Sequence, residues 1–354
     1  MADDFKYHIH HHGSLVVPAD LAAARVAHAG GQIDDQSLAD AVEQAIADTL
    51  LRQRRLAVAA LSDGEFRRRN DLSVAYDAIE GFSEPGPSTP VAELVGPAHA
   101  AEVRVLLGTP TARRRLVPEE GAQLGALTYR PTMIALPSPG FLTALTAAPG
   151  QSAADGFAEI LRAEVTALAA EGVDYVLLRN PALAFLLVAE GRAAAEKLGI
   201  DVDKTIATIL EADTAAVTDL DAPANFRVGL DLTSAGQARG PWDRAAVESF
   251  LAAQPFGRLC VDFPADQAHR FPLDLVPSGL VMSLGVVDIA DPELEDVDAL
   301  VDRIDETAKT MDIDDIAIST NGGFHVVGAA AAPYEQGKLQ RVEMVARYFW
   351  GNEL

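Results

Sequence analysis

The stretch VDYVLLRNPALAFLLV, residues 173–188, begins as a short aliphatic run and continues with a helical pattern after Arg179, Asn180 and Pro181. A short apolar run followed by a helix is the unit from which parallel sheets are built. The three interrupting residues also exclude 173–188 as an unbroken membrane span. The stretch therefore predicts a buried strand at 175–178 and a helix directly after it.

Seven further stretches repeat this pattern, and the helical segments between them carry apolar stripes. Because eight strand–helix units close a barrel, the chain is predicted to be α/β, a single parallel (β/α)8 TIM barrel over 1–354. The segment 81–120 contains many prolines and is predicted to be an excursion or hairpin after the second strand. The predicted strands lie at 6–12, 56–61, 132–136, 175–178, 226–230, 258–261, 280–284 and 316–318.

The chain is strongly acidic, with 52 Asp and Glu against 28 Lys and Arg and a net charge of −24 over 354 residues. Such a field repels phosphate backbones and anionic lipid surfaces, which argues against nucleic-acid and membrane partners. The single cysteine excludes a disulfide framework, and the amino terminus has no export signal. We expect a cytoplasmic protein with a small-molecule substrate, and oligomerisation is left open.

Polar residues follow nearly every predicted strand, where the loops of a barrel carry its chemistry. Any one of these residues could equally be a helix cap or part of a solvated turn. The prediction of a functional site rests on the whole set. The candidate site residues, in strand order, are His10, His12, Ser14, Asp63, Glu65, Arg179, Asn180, Asp231, Asp262, Asp288, Asn321 and His325.

The first predicted strand is rich in histidine. Strand alternation places His8, His10 and His12 on one face and His11 on the other. His10 and His12 could bind a relocated metal, act in acid–base or substrate-binding roles, or have no role. The other histidines at 28, 99 and 269 are expected at the surface.

Asp231 and Asp262 follow neighbouring strands and have three interpretations. They could share a proton, join the histidines around a hard divalent cation, or accept hydrogen bonds from backbone amides. Cys260 is expected to be a small buried residue rather than a nucleophile.

Several motifs in register over some 310 residues resemble the catalytic domain of cobalamin-independent methionine synthase. The segments HHGS at 11–14 and DGEFRR at 63–68 resemble the short paralogues of that enzyme more closely still. The other matching segments are Arg69-Asn70-Asp71, Pro181-Ala182-Leu183 and Val287-Asp288-Ile289. The resemblance implies a (β/α)8 barrel and methyl transfer from a folate to the thiol of homocysteine, with zinc holding the thiolate.

The family's zinc ligands are absent at the matching positions. By register its His-x-Cys falls on 229–231, its Glu on Asp262 and its last Cys on Gly322. This predicts that the family zinc is lost, whereas another divalent metal stays possible and folate is implied by resemblance only. At the position of the family's proton-donating histidine this sequence has Ala290. The acidic residues that bind the substrate's amino group in the family are replaced here by Arg179 and Asn180. An anionic or carbonyl-bearing substrate is therefore favoured.

Three functions remain open. The first is a divergent methyl or alkyl transferase that no longer makes methionine. The second is a zinc-free lyase, hydrolase or decarboxylase, and the third is a non-catalytic protein that binds a folate-like molecule. In either enzyme Glu65, Asp231, Asp262, His10 and His12 would be catalytic. Ser14, Asp63, Arg179, Asn180, Asp288, Asn321 and His325 would bind substrate.

Overall fold

The computed structural model describes residues 8–86, 88–147 and 153–351. The strands of these ranges are β1 (Ile79–Phe82), β2 (Leu106–Ala112), β3 (Met133–Pro137), β4 (Tyr175–Arg179), β5 (Arg227–Asp231), β6 (Arg258–Asp262), β7 (Val281–Val287) and β8 (Ile316–Thr320). The α-helices are α1 (Ala19–Ala29), α2 (Asp35–Arg55), α3 (Ser73–Ala78), α4 (Pro90–Val95), α5 (Pro97–Glu102), α6 (Glu120–Leu127), α7 (Pro139–Thr146), α8 (Ala154–Ala170), α9 (Pro181–Leu187), α10 (Ala189–Lys197), α11 (Val202–Val217), α12 (Arg244–Ala253), α13 (Val297–Thr307) and α14 (Glu335–Trp350).

Strands β3 to β8 form one parallel sheet in chain order, each paired with the next. Every residue of β3, β4, β6 and β8 is buried, because helices cover one side of the sheet and the barrel interior fills the other. The predicted α/β fold with a parallel sheet is confirmed.

The first two predicted strands form isolated bridges rather than regular ladders. Ile9 pairs with Ile318 of β8, and Leu61 pairs with Thr132 just before β3. The amide of Ala59 donates to the carbonyl of Ile9 at 3.2 Å, so these segments join and close the ring. Positive φ angles at Gly13 (+91°) and Gly64 (+72°) turn the chain away from ladder geometry.

A two-stranded antiparallel hairpin, β1 with β2, stands outside the barrel sheet. The helices α4 and α5 lie in its connection, and α4 contacts α7, α9 and α10. This connection brings the segment around His99 over the carboxyl ends of the strands.

The longest helix, α2, begins at an Asp34 cap whose side chain accepts from the amide of Ser37. Its inner face buries Ile46 and Leu50 against the barrel. Within the part of the chain that the structure describes, none of the helices has the length and apolar character needed to cross a bilayer.

Candidate active site

A cavity of ≈ 50 Å³ lies at the mouth of the barrel, where β4, β5 and β8 end. Both acidic and basic side chains face it, together with glycines from the loop after β8. Its charged and polar lining includes Asp71, His99, Arg179, Asp231, Ser234 and His325.

Glu65 and Arg179 form a bidentate ion pair beside this cavity. Arg179 Nη2 lies 2.7 Å from Glu65 Oε1, and Nη1 lies 3.1 Å from Oε2. Burial alone would raise the pKa of Glu65, but Arg179 and Arg68 outweigh it and the pKa is lowered. Arg179 also donates to the carbonyl of His12. The cation predicted to receive an anionic substrate is therefore already paired, and Glu65 is held ionised.

The backbone at Glu65 is strained, because this non-glycine residue has a φ of +61°. Its amide donates to Asp63 Oδ1 at 2.8 Å, and Asp63 Oδ2 lies 3.3 Å from an Arg67 guanidinium nitrogen. Asp63 thus holds the turn that aims Glu65 at Arg179, which is a positioning role.

His12 and Asp231 form a second buried pair. His12 Nδ1 lies 2.7 Å from Asp231 Oδ2, and His12 Nε2 lies 2.8 Å from the carbonyl oxygen of Thr320. The ring is therefore held between two oxygen atoms, one on each side. Burial would raise the pKa of Asp231, but His12 outweighs it and the pKa is lowered. The other carboxylate oxygen accepts from the amide and hydroxyl of Thr233.

Beneath this pair His10, His12 and Cys260 form a cluster, with one donor atom from each residue lying within 4.8 Å of the others. His10 Nδ1 is 3.8 Å from Cys260 Sγ, while the buried His10 Nε2 has no hydrogen-bond partner among the described residues. Burial lowers the pKa of His10 and raises the pKa of the Cys260 thiol, so both groups are neutral without a metal.

Imidazole and thiolate are the ligands that zinc prefers, and catalytic zinc sites use three protein ligands with one open position. The cluster fits such an ion if His12 Nε2 exchanges Thr320 for the metal, because the Nδ1 bond to Asp231 is the kind that orients a metal-bound histidine. The prediction of a degenerate zinc site is therefore corrected, and the relocated site considered at His10 and His12 gains Cys260 as a third candidate ligand. The ligands are absent where the family register puts them, but His10, His12 and Cys260 of the first barrel segment and β6 form another set.

The predicted grouping of the histidines needs a correction. His8 does not join His10 and His12 but stacks on Trp350 of α14, with ring centroids 4.1 Å apart and planes 11° apart. The irregular bridge geometry of this segment breaks the strict alternation of a strand. His11 Nε2 donates to the carbonyl of Ala60 at 3.0 Å, and burial lowers the pKa of His11 to about 4.

A third group links the first barrel segment to the loop after β8. Ser14 Oγ lies 2.7 Å from His325 Nδ1, and His325 Nε2 lies 3.9 Å from Asp71 Oδ2. His99 Nε2 is 3.8 Å from the same oxygen of Asp71, and the ring stands edge-on to Phe141. His99 was expected at the surface. It lies at the mouth instead, because the connection between β1 and β2 folds over the barrel.

Asp262 holds the loop after β5 rather than sharing a proton with Asp231. One Asp262 oxygen accepts from the hydroxyl of Ser234 at 2.6 Å and from the amides of Ser234 and Gly236 at 3.2 and 3.3 Å. Burial raises the pKa of Asp262 to about 7. Of the three interpretations of this carboxylate, the contacts match the one in which it binds backbone amides.

The remaining candidates make contacts within the fold. Asn180 Nδ2 lies 3.2 Å from Ser138 Oγ, and Asn180 Oδ1 is buried with no partner among the described residues. Asn321 Oδ1 accepts from the amide of Ile289 at 3.0 Å, and Asn321 Nδ2 donates to Asp288 at 3.1 Å. Asp288 is exposed and does not line the mouth cavity.

The sequence did not single out Asp71, His99 or Ser234 as site candidates, although all three line the mouth cavity. Asp71 stands in the Arg-Asn-Asp segment, so a signal existed for it. His99 and Ser234 lie in loops whose path depends on tertiary contacts, and no local pattern marks them.

Comparison with known proteins places this fold. No family model matches the chain. An uncharacterised protein of Bacillus subtilis (strain 168), YxjH, is 24% identical over 348 residues, covering 93% of this chain and 88% of the relative.

Two solved structures are similar in fold at 18% identity. One, from Listeria monocytogenes, is described as a proposed vitamin-B12-independent methionine synthase. It has a TM-score of 0.72, with 97% of this chain and 98% of the other covered. The second, a B12-independent methionine synthase from Shewanella sp. W3-18-1 in complex with selenomethionine, has a TM-score of 0.71 with 91% of each chain covered. The chain has the fold of these methionine-synthase structures.

Proposed function

We propose that this protein is an enzyme that transfers a methyl or another alkyl group to a small thiol, with a soft divalent metal held by His10, His12 and Cys260. The observation that carries the proposal is the placement of two imidazoles and one thiol within 4.8 Å of one another inside a barrel of the methionine-synthase fold. A bound metal such as Zn²⁺ would keep the substrate's thiol deprotonated, so that the thiolate stays nucleophilic at neutral pH.

The chain's own residues support this use of the cluster. Asp231 fixes the ring plane of His12 through a 2.7 Å bond, which is the contact that orients metal-binding histidines in other proteins. His10 Nε2 is a buried donor or acceptor without a described partner, and leaving it so costs free energy unless a ligand satisfies it. His10 Nδ1 is the nitrogen that lies 3.8 Å from Cys260 Sγ, so the ring can offer either nitrogen to an ion in the cluster.

The mouth above the cluster suits a small substrate with both charges. Asp71 and Asp231 face the cavity as acidic side chains, while the imidazole rings of His99 and His325 face it as hydrogen-bonding groups for a carboxylate. Arg179 contributes little free charge, because Glu65 neutralises it at 2.7 Å. The proposal therefore replaces the purely anionic substrate predicted from the sequence with a small polar thiol that can also carry an ammonium group.

The first test is the metal content of the protein purified without an affinity tag and equilibrated with Zn²⁺. We expect stoichiometric binding by the wild type, and loss of binding in His10→Gln and in Cys260→Ser. Asp231→Asn should retain the site with an affinity about 10–100-fold lower, because that residue only orients His12. His28→Ala is the matched control, since His28 is bonded to Asp35 on an exposed face of α1.

The second readout is alkylation of a panel of small thiols by methyl donors, followed as loss of free thiol. The metal-binding variants should lose this activity and His28→Ala should keep it. Unchanged zinc binding in both His10→Gln and Cys260→Ser would overturn the assignment of the site. Thiol alkylation that survives complete metal removal would overturn the assignment of the reaction.

A further inference from the structure

We propose that Ser14, His325 and Asp71 form a second reactive centre, in which the Ser14 hydroxyl attacks the carbonyl carbon of a small carboxylic ester or thioester. This activity does not depend on the metal cluster. The arrangement is that of a nucleophile bonded to a base, Ser14 Oγ to His325 Nδ1 at 2.7 Å, with an acid 3.9 Å beyond the other ring nitrogen.

Hydrogen-bond direction supports the role of Ser14 as the group that gives up a proton. Ser14 Oγ accepts from the backbone amide of His325 at 3.3 Å. Its own hydrogen has one acceptor among the described contacts, the ring nitrogen Nδ1. His325 then carries its hydrogen on Nε2, which is the nitrogen that faces Asp71.

The charges of the group are those that such a centre requires at neutral pH. Burial lowers the pKa of His325, with Arg179 acting in the same direction, so the ring is neutral and can accept a proton. Burial would raise the pKa of Asp71, but the nearby imidazoles of His99 and His325 outweigh it, and the carboxylate stays ionised. An ionised acid beyond a neutral base stabilises the imidazolium that forms when the base takes a proton.

The position of the centre admits a small acyl group. Asp71, Gly322, Gly323 and His325 line the mouth cavity, whereas Ser14 is 2% exposed and lies behind Gly323 rather than in the lining, so a substrate reaches Ser14 Oγ past the bare Cα of Gly323. A Cβ at residue 323 would collide with that hydroxyl oxygen. Among the described residues no hydrogen bond is donated by the amides of Gly322 and Gly323, which makes these two amides the candidates to bind a developing oxyanion. A volume of ≈ 50 Å³ limits the acyl chain to a few atoms.

Water is the one reagent that the proposed reaction needs besides the ester or thioester. Ser14 Oγ forms a bond to the carbonyl carbon while His325 Nδ1 takes the hydroxyl proton. The bond from the carbonyl carbon to the leaving alcohol or thiol breaks, and the leaving group takes that proton from His325. Water then gives a proton to His325 and attacks the acyl group, which releases the carboxylic acid and restores the Ser14 hydroxyl.

The test uses the metal-free full chain with 4-nitrophenyl acetate and, separately, with phenylmethanesulfonyl fluoride. We expect release of nitrophenol and an acetyl adduct that peptide mapping assigns to Ser14, whereas the bulky phenylmethanesulfonyl group should exceed the ≈ 50 Å³ cavity and leave Ser14 unmodified. Ser14→Ala should lose both, and His325→Gln should slow acylation about 10²–10⁴-fold. Asp71→Asn should lower kcat with little change in KM, which a general loss of structure would not produce.

Ser249→Ala is the matched control, because Ser249 is an exposed serine of α12 that bonds only to the carbonyl of Ala245. It should behave as the wild type. Adducts that map to residues other than Ser14 in the wild-type protein would overturn the proposal, and so would ester cleavage that persists unchanged in His325→Gln. Because the reaction is run without metal, its failure leaves thiol alkylation untouched, and the reverse also holds.

Discussion

The guanidinium of Arg179 spans the carboxylate of Glu65, with nitrogen–oxygen distances of 2.7 and 3.1 Å. Both side chains are less than a tenth exposed. A second guanidinium, from Arg68, lies 3.2 Å from Glu65 and also binds Glu120. Glu65 is therefore the one described carboxylate that pairs with Arg179, and it shares Arg68 with Glu120.

This arrangement predicts that Glu65→Gln is a destabilising change. Removing one partner of a buried ion pair leaves an uncompensated charge, which costs about 3–5 kcal/mol. Urea unfolding measures the change in the free energy of unfolding. The matched control is Glu80→Gln, since Glu80 pairs with Arg113 at 3.3 Å on the surface and should lose about 0–1 kcal/mol. Equal effects of the two substitutions would contradict the role given to Glu65.

Gly13→Ala should disturb the ion pair of Glu65 and Arg179 through a steric contact with the added methyl group. Gly13 has a φ of +91°, and a Cβ there would lie 3.1 Å from Glu65 Oε1 and 3.3 Å from Arg179 Nη2. Gly172 has a φ of +88° and nothing within 4 Å of its position for a Cβ, so Gly172→Ala isolates the backbone cost of about 1–2 kcal/mol. We expect Gly13→Ala to lose more stability than Gly172→Ala in thermal unfolding. Matching losses would show that the contact with Glu65 is unimportant.

Asp213 predicts a pH dependence of stability. This carboxyl is fully buried between the amide of Gly140 and the cluster of Ser138 and Asn180, and burial raises its pKa to about 7. The folded protein then holds a proton that the unfolded chain releases near pH 4. The contribution of Asp213 to stability is therefore complete below about pH 4 and is lost as the pH rises through about 7.

Asp213→Asn keeps the acceptor for Gly140 and removes the titration. We expect the variant to gain stability relative to the wild type as the pH rises from 4 to 8, measured as unfolding midpoints across that range. Asp302→Asn, at an exposed position of α13, is the control and should leave the profile unchanged. A constant difference between Asp213→Asn and the wild type across the range would contradict the raised pKa.

The repeating strand–helix pattern was enough to predict the parallel α/β fold and the position of β3 to β8. It did not predict the irregularity of the first two segments, since their geometry follows from the turns at Gly13 and Gly64 and from hydrogen bonds to distant residues. His8 illustrates the limit. Its orientation toward Trp350 depends on where α14 lies, which no local pattern specifies.

The pairings within the candidate site could not be predicted from the sequence. Of the candidate residues after the strands, Arg179, Asp231 and His325 line the mouth cavity, whereas the others do not. The partner of each charged side chain, such as Arg179 for Glu65, depends on distances across the barrel that the sequence does not give. A relocated metal site at His10 and His12 was one of the predicted alternatives, but Cys260 as its third member escaped prediction, because Cys260 follows His10 by 250 residues and shares no motif with it.

The isolated bridges of the first two barrel segments have a consequence for ligand entry. The opposite wall, β3 to β8, is joined by continuous ladders, whereas residues 8–14 and 59–64 pair with their neighbours through isolated bridges at Ile9, Ser14 and Leu61 and the few hydrogen bonds around them. Amide hydrogens protected by few bonds exchange through smaller local openings. The wall that carries His10, His12 and Ser14 should therefore open first, and this seam gives solutes a way to reach donor atoms that are fully enclosed when it is shut.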